Sequence, residues 1–143
     1  MAGVLTRPVL IRTLALAQFV LLTHPATVYP NRSRRTIPCR TAENASGCYW
    51  THGRLAAYNG TPAFRLWKIG TRRLLGISSG PSAEKRDPLD NEHPELLDHL
   101  QQAFTHPGTR VFADFEVCPL EPEQPGTMQT ACIEAANHIL VSK

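Results

Sequence analysis

The stretch FEVCPLEPEQPGTMQTACIEA, residues 115–135, decides the fold of this chain. It places a cysteine on each side of a connection rich in proline and acidic residues. From 110 to 120, apolar residues alternate with a mostly polar set that ends in Cys118, as in a strand with one buried face. The segment 128–141 alternates in the same way around Cys132. The two segments are therefore predicted to be the last two strands of the chain.

We predict that these strands form an antiparallel hairpin with Cys118 opposite Cys132. A shift by one residue would turn cysteine and glutamate toward the core, so the apolar pattern and the cysteines favour the same register. A disulfide between Cys118 and Cys132 would close a loop of about 15 residues, worth about 3 kcal/mol in the chain-entropy model. The register pairs Val117 with Ile133, Phe115 with Ala135, and Glu116 with Glu134.

The chain has four cysteines, which predict two disulfides in an exported domain. If Cys118 bonds Cys132, the second bridge is Cys39–Cys48. The alternative, in which Cys48 bonds Cys118 or Cys132, stays open. A zinc site is not favoured, because the sequence has no CxxC spacing.

Residues 1–26 have the order of a secretory signal peptide: Arg7 and Arg12, an apolar run over 13–22, and small residues around Ala26. His24 stands where a small residue is preferred before cleavage. The alternative is an uncleaved N-terminal anchor, although the run is shorter than the ~20 residues that span a bilayer. We predict a periplasmic or extracellular protein that meets a membrane only through an uncleaved segment.

Residues 27–47 are polar and basic, and they predict a flexible arm that is ordered only if Cys39 is bridged. The domain itself is predicted at 48–143. Its first strands are predicted at about 48–58, 62–69 and 72–78. Asn59-Gly60 separates the first two, and this dipeptide is typical of a two-residue hairpin turn with positive φ at both positions.

Residues 93–104 change to helical periodicity, with leucines and Phe104 on one face and Pro94 at the first turn. Three strands, one helix and two strands (β1-β2-β3-α-β4-β5) is the element order of the OB-fold barrel. Gly53 and Gly76 lie where barrel strands must bend. We therefore predict an all-β, OB-fold-like barrel; another small α+β or sandwich arrangement is the alternative.

Charge is divided unevenly along the chain. Eleven of the fifteen Lys and Arg residues precede residue 75, where Glu43 is the one acid, and acids dominate from Glu84 onward. Either one face meets an acidic partner, or the two halves attract each other on folding. The composition, 42% hydrophobic and 19% charged, is that of a globular chain.

Aromatic and cationic residues share one predicted face of the first two strands. OB-folds use such faces to stack rings and to hold phosphates or sugars, whereas the alternative is that these side chains serve packing. We expect an acidic ligand, a glycan or an envelope protein as partner and do not expect nucleic acid, because an exported protein rarely meets it. The candidate ligand-binding residues are Trp50, His52, Arg54, Arg65 and Trp67, with Tyr58 beside them.

Three carboxylates share the outer face of the last hairpin: Asp114, Glu116 and Glu134. Facing glutamates need a cation between them, and we favour Arg54 or another arginine of the basic half. Calcium binding and acid–base hydrolysis by Glu116 and Glu134 are the weaker alternatives. The sequence has no HExxH motif and no phosphate-binding glycine loop, so no enzyme, cofactor or dedicated metal site is predicted. A purely structural envelope component is a further alternative.

The segments HGRLAAYNGTPAFRLWKIGTRRLLGI (52–77), DFEVCPL (114–120) and MQTACIEAA (128–136) resemble a group of uncharacterised exported bacterial proteins. The resemblance covers residues 48–141. It implies export and the domain boundary, and it brings no known activity. In a bacterial chain the three N-x-S/T matches, at Asn31, Asn44 and Asn59, are chance.

Overall fold

A computed structural model describes residues 35–143 of the chain. The predicted signal peptide or anchor, residues 1–26, and the first part of the predicted arm, 27–34, lie outside the described residues. The strands are β1 (Tyr49–Ala57), β2 (Phe64–Lys68), β3 (Leu74–Ile77), β4 (Arg110–Pro119) and β5 (Gln129–Ser142). The helical elements are a single 3₁₀ turn, Ala45–Gly47, and the helices α1 (Ala83–Arg86) and α2 (Asp98–Ala103).

The five strands form a closed barrel in the order β1-β2-β3-β5-β4. Neighbouring strands are antiparallel, except that β3 and β5 are parallel. This order, with helices between the third and fourth strands, is the Greek-key arrangement of the OB-fold. The prediction of an all-β barrel of this class is confirmed.

Alternation along each strand places one set of side chains inside the barrel. Leu55, Leu66, Val111, Phe115 and Ile133 are all fully buried there. Gly53 also faces inward: a Cβ on this residue would lie 2.7 Å from Cδ1 of Leu66. The close approach explains why a strand that otherwise favours large residues carries glycine at this position.

The connection between β1 and β2 is longer than the predicted two-residue turn. It spans residues 58–63, and it is closed by the Tyr58 amide, which donates to the Ala63 carbonyl at 2.7 Å. Gly60 has the expected positive φ of 98°, whereas Asn59 is not among the residues with positive φ. The peptide bond between Thr61 and Pro62 is cis. The Asn-Gly dipeptide therefore predicted the position of the turn correctly, but not its length.

The helix begins at Asp98, five residues later than the predicted start at 93. Residues 94–97 have no regular secondary structure, and tertiary hydrogen bonds hold Glu95 among them. The Glu95 carboxylate accepts the amides of Thr36 and Ile37 from the arm, at 2.9–3.0 Å. The Glu95 amide in turn donates to the Ser79 hydroxyl. These partners lie far away in the sequence, and no local periodicity shows them. A second short helix, α1, lies between the third strand and this helix, where the sequence predicts no element.

The predicted register of the last hairpin is correct at its closed end and wrong beyond it. Cys118 is opposite Cys132, and Val117 is opposite Ile133. A bulge between Glu116 and Val117 then places Glu116 opposite Ala135, not Glu134. The same shift places Phe115 opposite Ala136, not Ala135. Bulges increase strand twist, which a small closed barrel requires.

The predicted disulfide between Cys118 and Cys132 is wrong, as is the pair Cys39–Cys48. The bonds join Cys39 to Cys132 and Cys48 to Cys118, so the alternative in which Cys48 bonds Cys118 is correct. The reason is the closure of the barrel by β1 and β4. In that ladder Tyr49 is opposite Val117, which brings Cys48 beside Cys118 from the other side. Cys132 is then left to Cys39 of the arm.

The described part of the arm, residues 35–47, packs over the end of the barrel where the cysteines lie. Cys39, Cys118 and Cys132 form a small buried cluster there, with Cys48 and Leu120 against it. Within residues 35–143, no helix is long and apolar enough to cross a membrane.

Candidate ligand-binding face

The outer surface of β1 and β2 brings together the aromatic and basic residues predicted from the sequence. Arg54 is opposite Trp67, and Ala56 is opposite Arg65. Trp50 and His52 lie on the same side of β1, at steps of two residues from Arg54. We call the outer surface formed by Trp50, Arg54, Tyr58, Arg65 and Trp67 the aromatic–arginine face.

Aromatic rings hold both arginines of this face. The Arg54 guanidinium lies over the Trp67 ring, 5.2 Å from its centroid, and its Nη2 donates to the Tyr58 hydroxyl at 3.4 Å. The Arg65 guanidinium lies over the Tyr58 ring at 5.0 Å, and its Nε donates to the Pro62 carbonyl at 3.2 Å. Such cation–π contacts orient a guanidinium without cancelling its charge.

No carboxylate within residues 35–143 forms an ion pair with Arg54 or Arg65. Neither positive charge is therefore neutralised by an ion pair within the described chain. Trp50, at the other end of β1, has 49% of its surface exposed. Trp67 is held by its indole Nε1, which donates to the Thr71 carbonyl at 2.8 Å.

The His52 side chain is hydrogen-bonded to the neighbouring strand β4. Its Nδ1 lies 2.9 Å from Oδ1 of Asp114 on β4, and Nδ1 of His138 on β5 lies 2.8 Å from Oδ2 of the same carboxylate. Hydrogen bonds from these two imidazoles lower the pKa of Asp114 below its ordinary value. We call these three residues the His–Asp–His cluster. His52 thus borders the aromatic–arginine face and does not lie among its rings.

Sequence reasoning missed His138. The residue has a positive φ of 53° and lies in the second irregularity of the β4–β5 ladder, between the pairs Asp114–Asn137 and Phe112–Leu140. Positive φ is uncommon outside glycine, although histidine and asparagine adopt it more often than most residues. The polar run Asn137-His138 in an otherwise apolar strand end was the one local sign of a break.

The two glutamates of the last hairpin are both bonded to Arg40 of the arm. The Arg40 guanidinium pairs with the Glu116 carboxylate, and its backbone amide donates to Oε2 of Glu134 at 3.1 Å. The predicted cation from the basic half is therefore present and is Arg40, not Arg54. Direct opposition of Glu116 and Glu134, on which the calcium and hydrolysis alternatives depended, is wrong. In the described part of the chain no group of three His, Cys, Asp or Glu residues is arranged to hold a metal ion.

The sequence contains one further pattern associated with catalysis, GISSG at residues 76–80, which matches the G-x-S-x-G motif of hydrolases. Ser78 Oγ donates to Oδ2 of Asp90 at 2.7 Å, and the Ser79 hydroxyl donates to Oδ1. All three residues are buried. No histidine within 35–143 is hydrogen-bonded to either serine or to Asp90, so the contacts of a serine nucleophile with its base are absent there. Ser78 and Ser79 instead anchor the segment that follows β3 to Asp90.

A cavity of about 770 Å³ lies at the disulfide end of the barrel. The arm forms one wall through Pro38, Thr41 and Asn44, and the start of the β4–β5 connection forms the other through Pro119 and Leu120. None of the five predicted ligand residues lines this cavity. It is therefore separate from the aromatic–arginine face.

Comparisons of the chain with protein-family models, with curated proteins and with solved structures found no match.

Proposed function

We propose that this chain is a small exported binding module that holds an acidic glycan on its aromatic–arginine face. The observation that carries the proposal is the pair of guanidiniums, Arg54 and Arg65, each supported by a ring and neither paired with a carboxylate in the described chain.

The chemistry of the face favours a ligand with both anionic groups and flat apolar surfaces. Guanidinium groups bind carboxylates, sulfates and phosphates through parallel hydrogen bonds. Aromatic rings supply flat contact area beside them, and Trp50 is half exposed. An acidic oligosaccharide presents charged groups at intervals between sugar rings, which matches this alternation of charge and ring along β1 and β2.

Export is the second part of the proposal. The two disulfides are compatible with an oxidising compartment. The signal-like order of residues 1–26 and the resemblance to exported bacterial proteins support the periplasm or the extracellular space. An acidic surface of an envelope protein is the alternative partner for the same face, and the face requires no cofactor. The hydrolase alternative remains an untested prediction, but the two glutamates that suggested it do not face each other.

The test uses a ligand whose charge is fixed. Dextran sulfate carries sulfate esters that stay ionised at both pH 5.5 and pH 7.5, and unsulfated dextran is the neutral comparison. We expect the wild-type protein to bind dextran sulfate and not dextran in isothermal titration calorimetry. The double variant Arg54→Gln/Arg65→Gln should bind about a hundredfold more weakly or worse, because each charged hydrogen bond contributes about 1.5–3 kcal/mol.

Arg86→Gln is the matched control, since Arg86 is an exposed arginine on α1, outside the face. It removes the same charge and should leave the affinity within about twofold, because exposed charges distant from a ligand contribute little. Equal losses in the two variants would mean that only net charge matters, and the face would not be a site. Loss of binding together with a fall in Tm would assign Arg54 and Arg65 a structural role.

A further inference from the structure

The His–Asp–His cluster adjoins the aromatic–arginine face. His52 is two residues from both Trp50 and Arg54 on β1, so its side chain emerges on the same surface. Asp114 is its cross-strand partner on β4, and His138 reaches the same carboxylate from β5. Three adjacent strands thus each contribute one ionisable group beside the proposed ligand.

The contacts define the protonation of each ring. A carboxylate only accepts hydrogen bonds, so the Nδ1 atom that faces Asp114 carries the hydrogen in both imidazoles. Nε2 of each neutral ring is then an acceptor. When the ring is protonated, Nε2 becomes a charged donor. Both histidines are exposed, with 57% and 83% of their side-chain surfaces accessible, so Nε2 is not enclosed by the fold.

The charge of the cluster changes with pH by two units. With both rings neutral the ionised Asp114 leaves a net charge of minus one, and with both rings protonated the net charge is plus one. Histidine is the side chain that makes this change between pH 5 and 8. The lowered pKa of Asp114 keeps its carboxylate ionised across that range.

Other charged groups near the cluster on this surface are few. Arg54 follows on β1, and Glu116 follows on β4 but is paired with Arg40. On β5 the partner of Asp114 is the neutral Asn137, and on β2 the partner of Arg54 is the neutral Trp67. Arg110, at the start of β4, adds a fixed positive charge further along. The titrating charge at this border therefore belongs to the cluster.

We infer that the His–Asp–His cluster makes anion binding on the aromatic–arginine face dependent on pH, with acidic glycans bound more tightly in mildly acidic surroundings. The inference rests on the proposed function. At neutral pH, Asp114 repels an anion next to Arg54. When protonated, the two imidazoles of the cluster each add a positive charge and an Nε2–H donor directed away from Asp114.

The experiment measures the affinity for dextran sulfate at pH 7.5 and pH 5.5 at fixed ionic strength. Two exposed charge contacts of ordinary strength predict about a tenfold gain in affinity for the wild type at the lower pH. The double variant His52→Gln/His138→Gln should show a change of less than about twofold. His106→Gln, which removes an exposed histidine of the loop after α2, is the control and should keep the wild-type gain.

Two further measurements test the charge of the cluster directly. Calorimetry near pH 6.5 in buffers of different ionisation enthalpy should show proton uptake on binding for the wild type and none for the double variant. Asp114→Asn removes the repelling charge, so at pH 7.5 it should bind dextran sulfate more tightly than the wild type.

The outcomes distinguish the two proposals. Binding through Arg54 and Arg65 without pH dependence would overturn the role of the cluster and leave the proposed function in place. A double variant that keeps the wild-type pH dependence would overturn the role of the cluster as well. Absence of binding by the wild type at either pH would overturn the proposed function and this inference with it.

Discussion

On the β4–β5 side of the barrel, Asp114 is hydrogen-bonded to two histidines, and Glu116 and Glu134 are both hydrogen-bonded to Arg40 of the arm. On the β1–β2 side, Arg54 and Arg65 contact only rings, a hydroxyl and a carbonyl. Both sides are outer surfaces of one small sheet, yet every carboxylate of the first is hydrogen-bonded to another segment, whereas the arginines of the second have no carboxylate partner within residues 35–143.

This difference indicates what the uneven distribution of charge along the chain does. Part of it serves folding, because Arg40 of the basic half bonds the two glutamates of the acidic half. Part of it is not used in this way, because two central arginines of the basic half have no acidic partner in the described chain. The two interpretations of the charge pattern therefore apply to different residues, and each can be tested by substitution.

The largest effect is expected from the bond that holds the arm on the acidic side. Replacing Cys39 and Cys132 by alanine should lower the free energy of unfolding by about 2–5 kcal/mol, as is usual when a small domain loses a native disulfide. It also releases Arg40 from Glu116 and Glu134. Urea denaturation of the double variant measures the loss.

Dextran sulfate binding by the folded fraction of this double variant should remain near the wild-type value, because Arg54 and Arg65 lie on strands that the arm does not hold. Weakened binding at a temperature where the variant is still folded would show that the β4–β5 side influences the β1–β2 side. The two sides could then not be treated as independent.

A smaller effect is expected from Gly76→Ala on the basic side. A Cβ on Gly76 would lie 2.6 Å from Cγ of Pro62, and Pro62 supplies the carbonyl that accepts from Arg65. The extra atom should cost about 1–3 kcal/mol through overpacking and should weaken dextran sulfate binding by moving Arg65. Gly47→Ala is the control, since nothing lies within 4 Å of its added Cβ. Equal stability of the two variants would show that Pro62 gives way without affecting the face.

Glu116→Gln tests the compensated side directly. The pair with Arg40 is partly buried, with 15% of the Glu116 side chain exposed, so its loss should cost about 1 kcal/mol or less. Dextran sulfate affinity should change little, because Glu116 lies on β4, which does not pair with the β2 strand that carries Arg65. Glu92→Gln, at an exposed glutamate before α2, controls for the lost charge. A cost above 3 kcal/mol would mark the pair as a buried structural element.

The features that sequence reasoning predicted are those that short segments encode. Alternation located all five strands within about two residues, and the apolar pattern around Cys118 and Cys132 set the register at the closed end of the hairpin. The candidate residues Arg54, Arg65 and Trp67 meet on one face because strand alternation and the β1–β2 hairpin, both local, determine it.

The errors in the disulfides, the start of the helix and the hairpin register depend on contacts between segments that are distant in the sequence. The disulfides follow from the pairing of β1 with β4, and the cysteines were placed opposite each other correctly but bonded to residues outside the hairpin. The helix starts late because the arm and Ser79 bond Glu95. The bulges that displace Glu134 and bring His138 to Asp114 follow from closing the barrel, and the polar pair Asn137-His138 is the one local sign of either of them.

The smallest effect concerns Asp114, where the two sides meet. Its pKa is lowered from 3.8 by hydrogen bonds from His52 and His138, so its contribution to stability is present above pH 3.8 and is lost as the pH falls through the lowered value. The difference in Tm between the wild type and Asp114→Asn should therefore shrink as the pH is lowered from 5 to 2. Glu84→Gln, at an exposed residue of α1, should show no such trend. A Tm difference that stays constant over this range would mean that the imidazoles do not stabilise the ionised carboxylate. In that case the hydrogen bonds from His52 and His138 would not stabilise the ionised Asp114. Its charge would then be uncompensated, like those of Arg54 and Arg65.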